Sequence, residues 1–156
     1  MDPAADQDVG LEASVIGLGI VLRSVAPALE RVTLQQYRVL VLLVTRGSMR
    51  AGDLASELGL LPSGITRIVS RLTRDGMVEK QVSRSSGREV LVSALPPATA
   101  LVGQVFEARR AAFDAVLQRM TPDERVAVRA AAAAIVRTAG NDELLDAHIL
   151  LGDDRR

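Results

Sequence analysis

Three arginine side chains recur at helical spacing in the middle of the chain. Arg67, Arg71 and Arg74 are separated by four and three residues, so a helix would carry them along one face. Short residues accompany them: Ser63, Gly64, Thr66 and Ser70. Guanidinium groups bind phosphate and form paired hydrogen bonds to guanine, and short hydroxyl side chains suit base edges or phosphates. The chemistry that such a face could perform is recognition of a nucleic acid.

Two helices joined by a tight turn are predicted around these residues. A short helix over 52–58 ends at Gly59, and Pro62 suits the first turn of the helix that carries the arginines. Gly76 ends this second helix, since glycine adopts the left-handed conformation without strain. The order predicts a helix-turn-helix whose second helix presents the arginines.

A basic hairpin is predicted directly after the second helix. Two β-type runs, 77–82 and 89–94, are joined by a polar loop that contains Arg84, Ser86 and Arg88. A helix able to enter a DNA groove, followed by a basic hairpin, is the winged helix-turn-helix pattern. The sequence therefore favours binding to double-stranded DNA.

Charge is distributed unevenly, although the chain has 19 basic and 19 acidic side chains and no net charge. Residues 60–88 contain six cations and two anions, a net charge of +4, and the rest of the chain carries −4. A basic lobe on an acidic body concentrates the attraction for phosphate. The alternative is an ordinary solvated helix face, and charge alone does not choose between the two.

The residue types that most enzyme and metal sites require are scarce. The chain has no cysteine and a single histidine, His148, which argues against disulfides, thiol chemistry and a zinc site. The sequence contains no recognisable nucleophile–base pair, and Asp53 and Glu57 are interpreted as solubilising acids on a helix. We therefore expect no catalytic residue, no metal, no cofactor and no enzymatic activity.

The N-terminus and the apolar stretches predict a soluble cytoplasmic protein with no membrane partner. The segment MDPAADQD lacks the basic-then-apolar pattern of a signal peptide. The most apolar stretches, 15–22 and 39–44, fall far below the ~20 residues needed to span a bilayer.

A central helix and several outer helices complete the prediction. The pattern Thr33-x-x-Gln36 is a capping box that starts a nearly all-apolar helix ending at Arg46. A first helix is predicted over 9–30, and others over 98–119 (after the Pro96–Pro97 pair), from Thr121 to about 139, and over 142–151. The apolar stripe of the first helix comprises Leu11, Val15, Leu18, Leu22, Val25 and Leu29. Such stripes are too wide for a monomer's surface, so we expect them to pack against each other and against a second copy in a homodimer.

The segment 33–96 carries the most specific pattern in the chain. It reads TLQQYRVLVLLVTRG and then MRAGDLASELGLLPSGITRIVSRLTRDGMVEKQVSRSSGREVLVSAL, with the order of arginine-bearing helix, Arg-Asp-Gly, hydrophobic residue and wing. This segment resembles the MarR family of transcriptional regulators. The resemblance implies a mainly α (α+β) fold with a winged helix-turn-helix lobe and a two- to three-stranded wing. It also implies N- and C-terminal helices that form a dimerisation lobe.

The resemblance implies a DNA-binding domain over 33–95. Residues 1–32 would supply the N-terminal helix of the dimerisation lobe, and residues 96–156 its C-terminal helices. It further implies a homodimer that binds a palindromic operator, acts as a repressor and is released by a small aromatic or phenolic effector. The alternative function is a winged-helix module for protein–protein contact without specific DNA readout.

The predicted DNA-binding residues are Ser63, Gly64, Thr66, Arg67, Ser70, Arg71, Arg74, Arg84, Ser86 and Arg88. Arg67 is expected to contact guanine in the major groove. Arg71 and Arg74 are expected to bind phosphate, or alternatively to form salt bridges with Asp75 or Glu79.

The wing departs from the family pattern at one position. The family usually carries Asp-x-Arg there, whereas this chain has Ser86-Gly87-Arg88. The arginine is retained, and Arg84 and Arg88 are expected to enter a narrow minor groove. The aspartate is lost, so the resemblance implies that Arg88 is less constrained and that the wing binds the minor groove less tightly, while the fold prediction is unchanged.

Effector binding is expected, by the resemblance, in the crevice between the DNA-binding lobe and the dimer helices. The ligand-binding candidates are Tyr37, Arg38, Phe106 and Phe113, and Arg109 and Arg110 lie on the same predicted helix as the two phenylalanines. Tyr37 with Arg38 would face a phenolate or carboxylate. The alternative is that the aromatic residues are core side chains.

Overall fold

Six α-helices and a three-stranded antiparallel sheet make up residues 3–82 and 90–139, the part of the chain that the computed structural model describes. The helices are α1 (Pro3–Leu29), α2 (Leu34–Arg46), α3 (Ala51–Glu57), α4 (Pro62–Arg74), α5 (Pro96–Leu117) and α6 (Pro122–Thr138). The strands are β1 (Met49–Arg50), β2 (Val78–Val82) and β3 (Val90–Ala94). The predicted helix over 142–151, His148 and the wing-loop residues Arg84, Ser86 and Arg88 lie outside the described residues.

Capping boxes start two of the helices where the sequence predicts them. At α2 the Thr33 hydroxyl accepts a hydrogen bond from the Gln36 backbone N–H at 3.3 Å, and the Gln36 side chain accepts one from the Thr33 N–H at 2.8 Å. At α6 the corresponding bonds between Thr121 and Glu124 are 3.3 and 2.7 Å. These bonds satisfy backbone donors that the first helical turn leaves unpaired.

Helix α2 occupies the centre of the hydrophobic core. No side chain from Val39 to Leu43 is more than 2% exposed. The helix packs against α1, α4, α5 and β3, and Leu54 from α3 belongs to the same core. The prediction that this apolar segment is a central helix is confirmed, because it has neighbours on all sides.

The sheet has the order β1-β3-β2, with every pairing antiparallel. Val78 pairs with Ala94 and Val82 with Val90 in the hairpin, while Met49 pairs with Val92. The link between α2 and α3 therefore supplies a third strand. The winged helix-turn-helix prediction is confirmed, with three strands in the wing sheet.

Two helices begin earlier than the sequence predicts. Helix α1 starts at Pro3, whereas a start near residue 9 was expected. Helix α5 starts at Pro96, and the two prolines expected to precede it form its first turn instead. Proline is favoured there because its missing N–H would have no helical partner and its φ angle is already helical.

The outer helices bury less apolar surface than the core helices. Helix α1 packs against α5 and buries Ile20, Val25 and Ala28. Most of its predicted apolar stripe faces outward, with Leu11, Val15, Leu18 and Leu22 between 56% and 66% exposed. None of the described side chains of α6 is buried. Of the six stripe residues of α1, Val25 alone is buried within the described chain, and packing of the others against a second copy stays a prediction.

Helix α1 also contains the longest apolar run among the described residues. From Gly10 to Leu29 it is long and apolar enough, by length and composition, to cross a membrane. This run is longer than the predicted apolar stretch 15–22, because the helical residues on both sides are also mostly small or apolar.

Candidate nucleic-acid interface

Helix α4 divides into a buried apolar face and an exposed polar face. Ile65, Val69 and Leu72 are at most 1% exposed. The opposite face is exposed and consists of Ser63, Thr66, Arg67, Ser70, Arg71 and Arg74. The structure thus places six predicted DNA-binding residues on one surface, and half-buried Gly64 lies in the first turn beside it.

Two left-handed glycines set the ends of the segment that presents this face. Gly59 has φ of 62° in the turn after α3, where the Leu60 N–H donates to the Ala55 carbonyl at 2.8 Å. Gly76 has φ of 68° after α4, where the Met77 N–H donates to the Leu72 carbonyl at 2.9 Å. These turns close both helices and direct the chain from α3 into α4 and from α4 into the wing.

The exposed cations of α4 differ in their partners. The Arg74 Nε lies 3.3 Å from the Asp75 carboxylate, so the alternative of a salt bridge holds for Arg74. Glu79 instead accepts a hydrogen bond from the Gln81 side chain at 2.6 Å. Arg67 and Arg71 form no ion pair with any residue in 3–82 or 90–139. An exposed pair such as Arg74–Asp75 contributes little to stability, about 0–1 kcal/mol.

A lysine of the wing joins this surface. Strand β2 packs against α4, and the Lys80 Nζ lies 3.5 Å from the Ser70 hydroxyl. We call the surface formed by the exposed residues of α4 together with Lys80 the α4–β2 face. Lys80 was counted in the basic segment of the sequence but was not among the predicted contact residues. The alternation of β2 shows which strand residues share a side, but only the packing of β2 on α4 shows that Lys80 meets Ser70.

Tyr37 and Phe106, two of the predicted effector residues, share a neighbour in Arg109. Tyr37 is fully buried, and burial raises the pKa of its hydroxyl while the positive charge of Arg109 acts in the opposite direction. The Arg109 guanidinium carbon lies 5.9 Å from the centre of the Phe106 ring, and its Nε donates to the Ser24 hydroxyl at 3.2 Å. Burial lowers the pKa of Arg109, and Tyr37 opposes that shift.

The other two effector candidates are placed differently. The half-buried Arg38 donates to the Gln35 side chain within α2 at 3.3 Å. Phe113 lies seven residues beyond Phe106 on α5 and is 39% exposed. A cavity of about 260 Å3 opens beside Ser24, between α1 and α5, and Arg31 and Gln104 contribute its polar lining.

A helix-turn-helix followed by a three-stranded wing, with an exposed basic second helix, defines the class of winged-helix DNA-binding proteins. The comparisons with known proteins agree. The sequence profile of the MarR family matches residues 32–90. The uncharacterized HTH-type transcriptional regulator ML2140 of Mycobacterium leprae is 32% identical over 101 residues, which cover 65% of this chain and 71% of that protein.

Two further comparisons extend the likeness. The uncharacterized HTH-type transcriptional regulator YfiV of Bacillus subtilis is 27% identical over 96 residues, and the match spans 62% of this chain and 60% of that protein. The crystal structure of RV1404 from Mycobacterium tuberculosis superposes with a TM-score of 0.80 at 30% identity, covering 90% of this chain and 97% of that one. This chain belongs to the MarR family, whose members are DNA-binding transcriptional regulators rather than enzymes.

Proposed function

We propose that this chain is a cytoplasmic, homodimeric repressor that binds a palindromic operator by inserting α4 into the major groove. The observation that carries the proposal is the state of Arg67 and Arg71. Both are exposed on a helix whose other face is firmly buried, and neither is paired with an acidic residue of the described chain. Guanidinium groups held in this way are available to bases and phosphates.

The position of each side chain along α4 determines which part of the DNA we assign it to contact. Arg67 lies in the second turn, near the helix end that enters the groove, and is assigned a paired hydrogen bond to guanine. Arg71 and Lys80 are assigned to phosphates on either side. Arg74 has Asp75 as a competing partner, so we assign it a smaller part. The wing residues Arg84, Ser86 and Arg88 remain contacts proposed from the sequence.

The uncovered face of α1 supports a second copy as the partner. In the described part of α1 the outward-facing leucines are more than half exposed, and Val126 and Ile135 of α6 are similarly exposed. Apolar surface of this kind gains ~25 cal/mol per Å2 when it is removed from water. We therefore propose that 1–32 and 96–156 form the dimerisation lobe and 33–95 the DNA-binding domain. Two copies would then present two α4 helices to half-sites about one helical turn apart.

The cluster of Tyr37, Phe106 and Arg109 supports an effector of small aromatic acid or phenol type. It joins α2 of the DNA-binding lobe to α5, and through Ser24 it borders the cavity between α1 and α5. A ring packed on Phe106 with its anionic group towards Arg109 would bind where the two lobes meet. Such a ligand would release DNA if it bound more tightly to a conformation that fits the operator less well.

The test is selection of bound duplexes from a random DNA pool at about 150 mM salt. We expect a two-fold-symmetric motif with half-sites one turn apart. Arg67→Ala should reduce discrimination between the preferred and mismatched duplex by about 1–3 kcal/mol, because a paired contact to guanine is lost. Arg119→Ala is the matched control, since Arg119 is an exposed arginine at the junction of α5 and α6. Equal effects of the two variants, or recovery of no motif, would favour the protein-contact function instead.

A further inference from the structure

Thr66 occupies the middle of the exposed face of α4, and its hydroxyl is already engaged. The Thr66 Oγ1 donates to the Pro62 carbonyl oxygen, four residues earlier, at 2.8 Å. This type of bond is common for threonine within helices. A hydroxyl group has one proton to donate, so the proton of Thr66 is used inside the protein.

This bond limits which groups of DNA the side chain can recognise. Phosphate oxygens, guanine N7 and O6, adenine N7 and thymine O4 are all acceptors and require a donor from the protein. Thr66 therefore offers these groups nothing while its bond to Pro62 is kept. Two parts remain available: the side-chain methyl group and the free lone pair of the oxygen.

The surroundings of Thr66 leave its methyl group accessible. Its neighbours one helical turn away on the same face are Ser63 and Ser70, both short. Lys80, a long side chain that reaches this row from β2, has its ammonium group at Ser70. A thymine carries its C5 methyl group in the major groove, where a threonine methyl group is a suitable apolar contact.

We infer that Thr66 reads the methyl group of a thymine in each operator half-site. This inference rests on the proposed function, because it requires α4 to lie in the major groove. It assigns Thr66 to base readout by apolar contact and removes it from the phosphate-binding residues. The competing readout is a hydrogen bond that an adenine or cytosine amino group donates to the Thr66 oxygen. That readout depends on the hydroxyl oxygen instead of the methyl group.

Two substitutions separate the methyl group from the hydroxyl. Thr66→Val keeps a methyl group and the branched shape but has no oxygen, whereas Thr66→Ser keeps the hydroxyl and lacks the methyl group. The probes are the duplexes that the wild-type protein selects from a random pool, and copies in which each thymine in turn is replaced by deoxyuridine. At one thymine per half-site, deoxyuridine should weaken binding of wild type and Thr66→Val about fourfold, the effect of one buried methyl group. Thr66→Ser should bind both versions of the duplex equally.

Each contrary result has a distinct meaning. If Thr66→Val loses the discrimination against deoxyuridine as Thr66→Ser does, a methyl group at position 66 does not account for the discrimination and the inference is wrong. It is equally wrong if no deoxyuridine substitution affects binding by the wild-type protein while Arg67→Ala still reduces discrimination between the preferred and mismatched duplex. That outcome leaves the proposed function standing. Absence of any selected motif would overturn both. Circular dichroism melting of each variant verifies that α4 remains folded.

Discussion

The lobe from α2 to β3 and the outer helices α1 and α6 bury their apolar side chains to very different extents. In the lobe, the segment Val39–Leu43 of α2 and the inner faces of α3 and α4 are almost completely buried within one chain. On α1 the outward-facing leucines remain more than half exposed, and no described side chain of α6 is buried. The lobe is therefore stabilised by its own chain, whereas the described residues leave the outward faces of α1 and α6 exposed.

The starts of the helices do not show this difference. Helices α2 and α6 both begin with a complete capping box of nearly equal geometry. A cap contributes about 0.5–2 kcal/mol wherever it lies, because it satisfies backbone donors within one turn. The start of a helix is thus set by local contacts both in the lobe and in the outer helices. The apolar side chains of the inner helix faces are buried within one chain only in the lobe.

The largest expected effect is a loss of stability when a core residue of the lobe is truncated. Leu72 is fully buried on α4, so Leu72→Ala should lower the free energy of unfolding by about 2–5 kcal/mol, the loss typical of a leucine cavity. Leu61→Ala removes the same atoms from a side chain that is 75% exposed, and its effect should stay within about 0.5 kcal/mol. Urea unfolding followed by circular dichroism, at one fixed protein concentration, measures both. If the two variants lost similar amounts of unfolding free energy, burial within one chain would not be what stabilises the lobe.

Self-association is the next largest effect. Leu18 lies on the uncovered face of α1, and Leu18→Glu should weaken self-association at least about tenfold, or 1.4 kcal/mol, because a carboxylate would be buried against a second copy. Leu61→Glu places the same charge on an exposed leucine of the DNA-binding lobe and should leave the assembly unchanged. Sedimentation equilibrium distinguishes them. A wild-type protein that is monomeric at every concentration would show that a second copy does not cover α1.

A substitution at Gly64 should have a smaller effect, raising the stability of the protein and lowering its affinity for DNA. A Cβ atom there would meet nothing within 4 Å, and no positive φ requires glycine. Because glycine is a poor helix former, Gly64→Ala should raise the free energy of unfolding by up to about 1 kcal/mol. It should also weaken binding to the selected duplex, since the added methyl group would lie where α4 approaches the bases.

Gly103→Ala is the control for that substitution. Gly103 is also helical and open, but it lies on α5. It should stabilise the protein to a similar extent without changing DNA affinity. If Gly64→Ala binds DNA as tightly as wild type, the first turn of α4 does not approach the bases closely.

The smallest expected effect is the dependence of stability on the ionisation of Tyr37, which lies on α2 of the lobe beside Arg109 of α5. The chain has one tyrosine and no tryptophan, so absorbance at alkaline pH reports Tyr37 alone. Burial raises its pKa, so ionisation in the folded protein should occur above the ordinary value of 10.0. The folded state then holds the phenol proton more tightly than the unfolded state, and the contribution of Tyr37 to stability is complete below that value and lost as the pH rises through the folded pKa.

Tyr37→Phe tests this assignment. At neutral pH the change should alter stability by less than about 1 kcal/mol, because the hydroxyl lacks well-formed hydrogen bonds to the described residues. Above pH 10.0 the variant should lose less stability than wild type, since the other alkaline groups are common to both proteins. Tyrosine ionisation at or below its ordinary pKa would contradict the buried position.

Much of the DNA-binding lobe could be predicted from the sequence. The spacing of Ile65, Val69 and Leu72 separates the buried face of α4 from the arginine face, and Pro62 and Gly76 mark its ends. The partners of the arginines could not be predicted in the same way. Asp75 is near both Arg71 and Arg74 in sequence, and the structure pairs it with Arg74. Side-chain rotamers decide between such neighbours, and spacing does not record them.

The central helices, two capping boxes, the exposed face of α4 and the resemblance to the MarR family can all be predicted from the sequence, because periodicity and capping act over a few residues. The tertiary structure places Lys80 against Ser70, β1 in the wing sheet, and Tyr37 beside Arg109, which is 72 positions further along the chain. It also decided which side of α1 is buried, because both sides are apolar and only the position of α5 selects one. Such contacts depend on how whole elements pack, and residues distant in sequence leave no local pattern of their meeting.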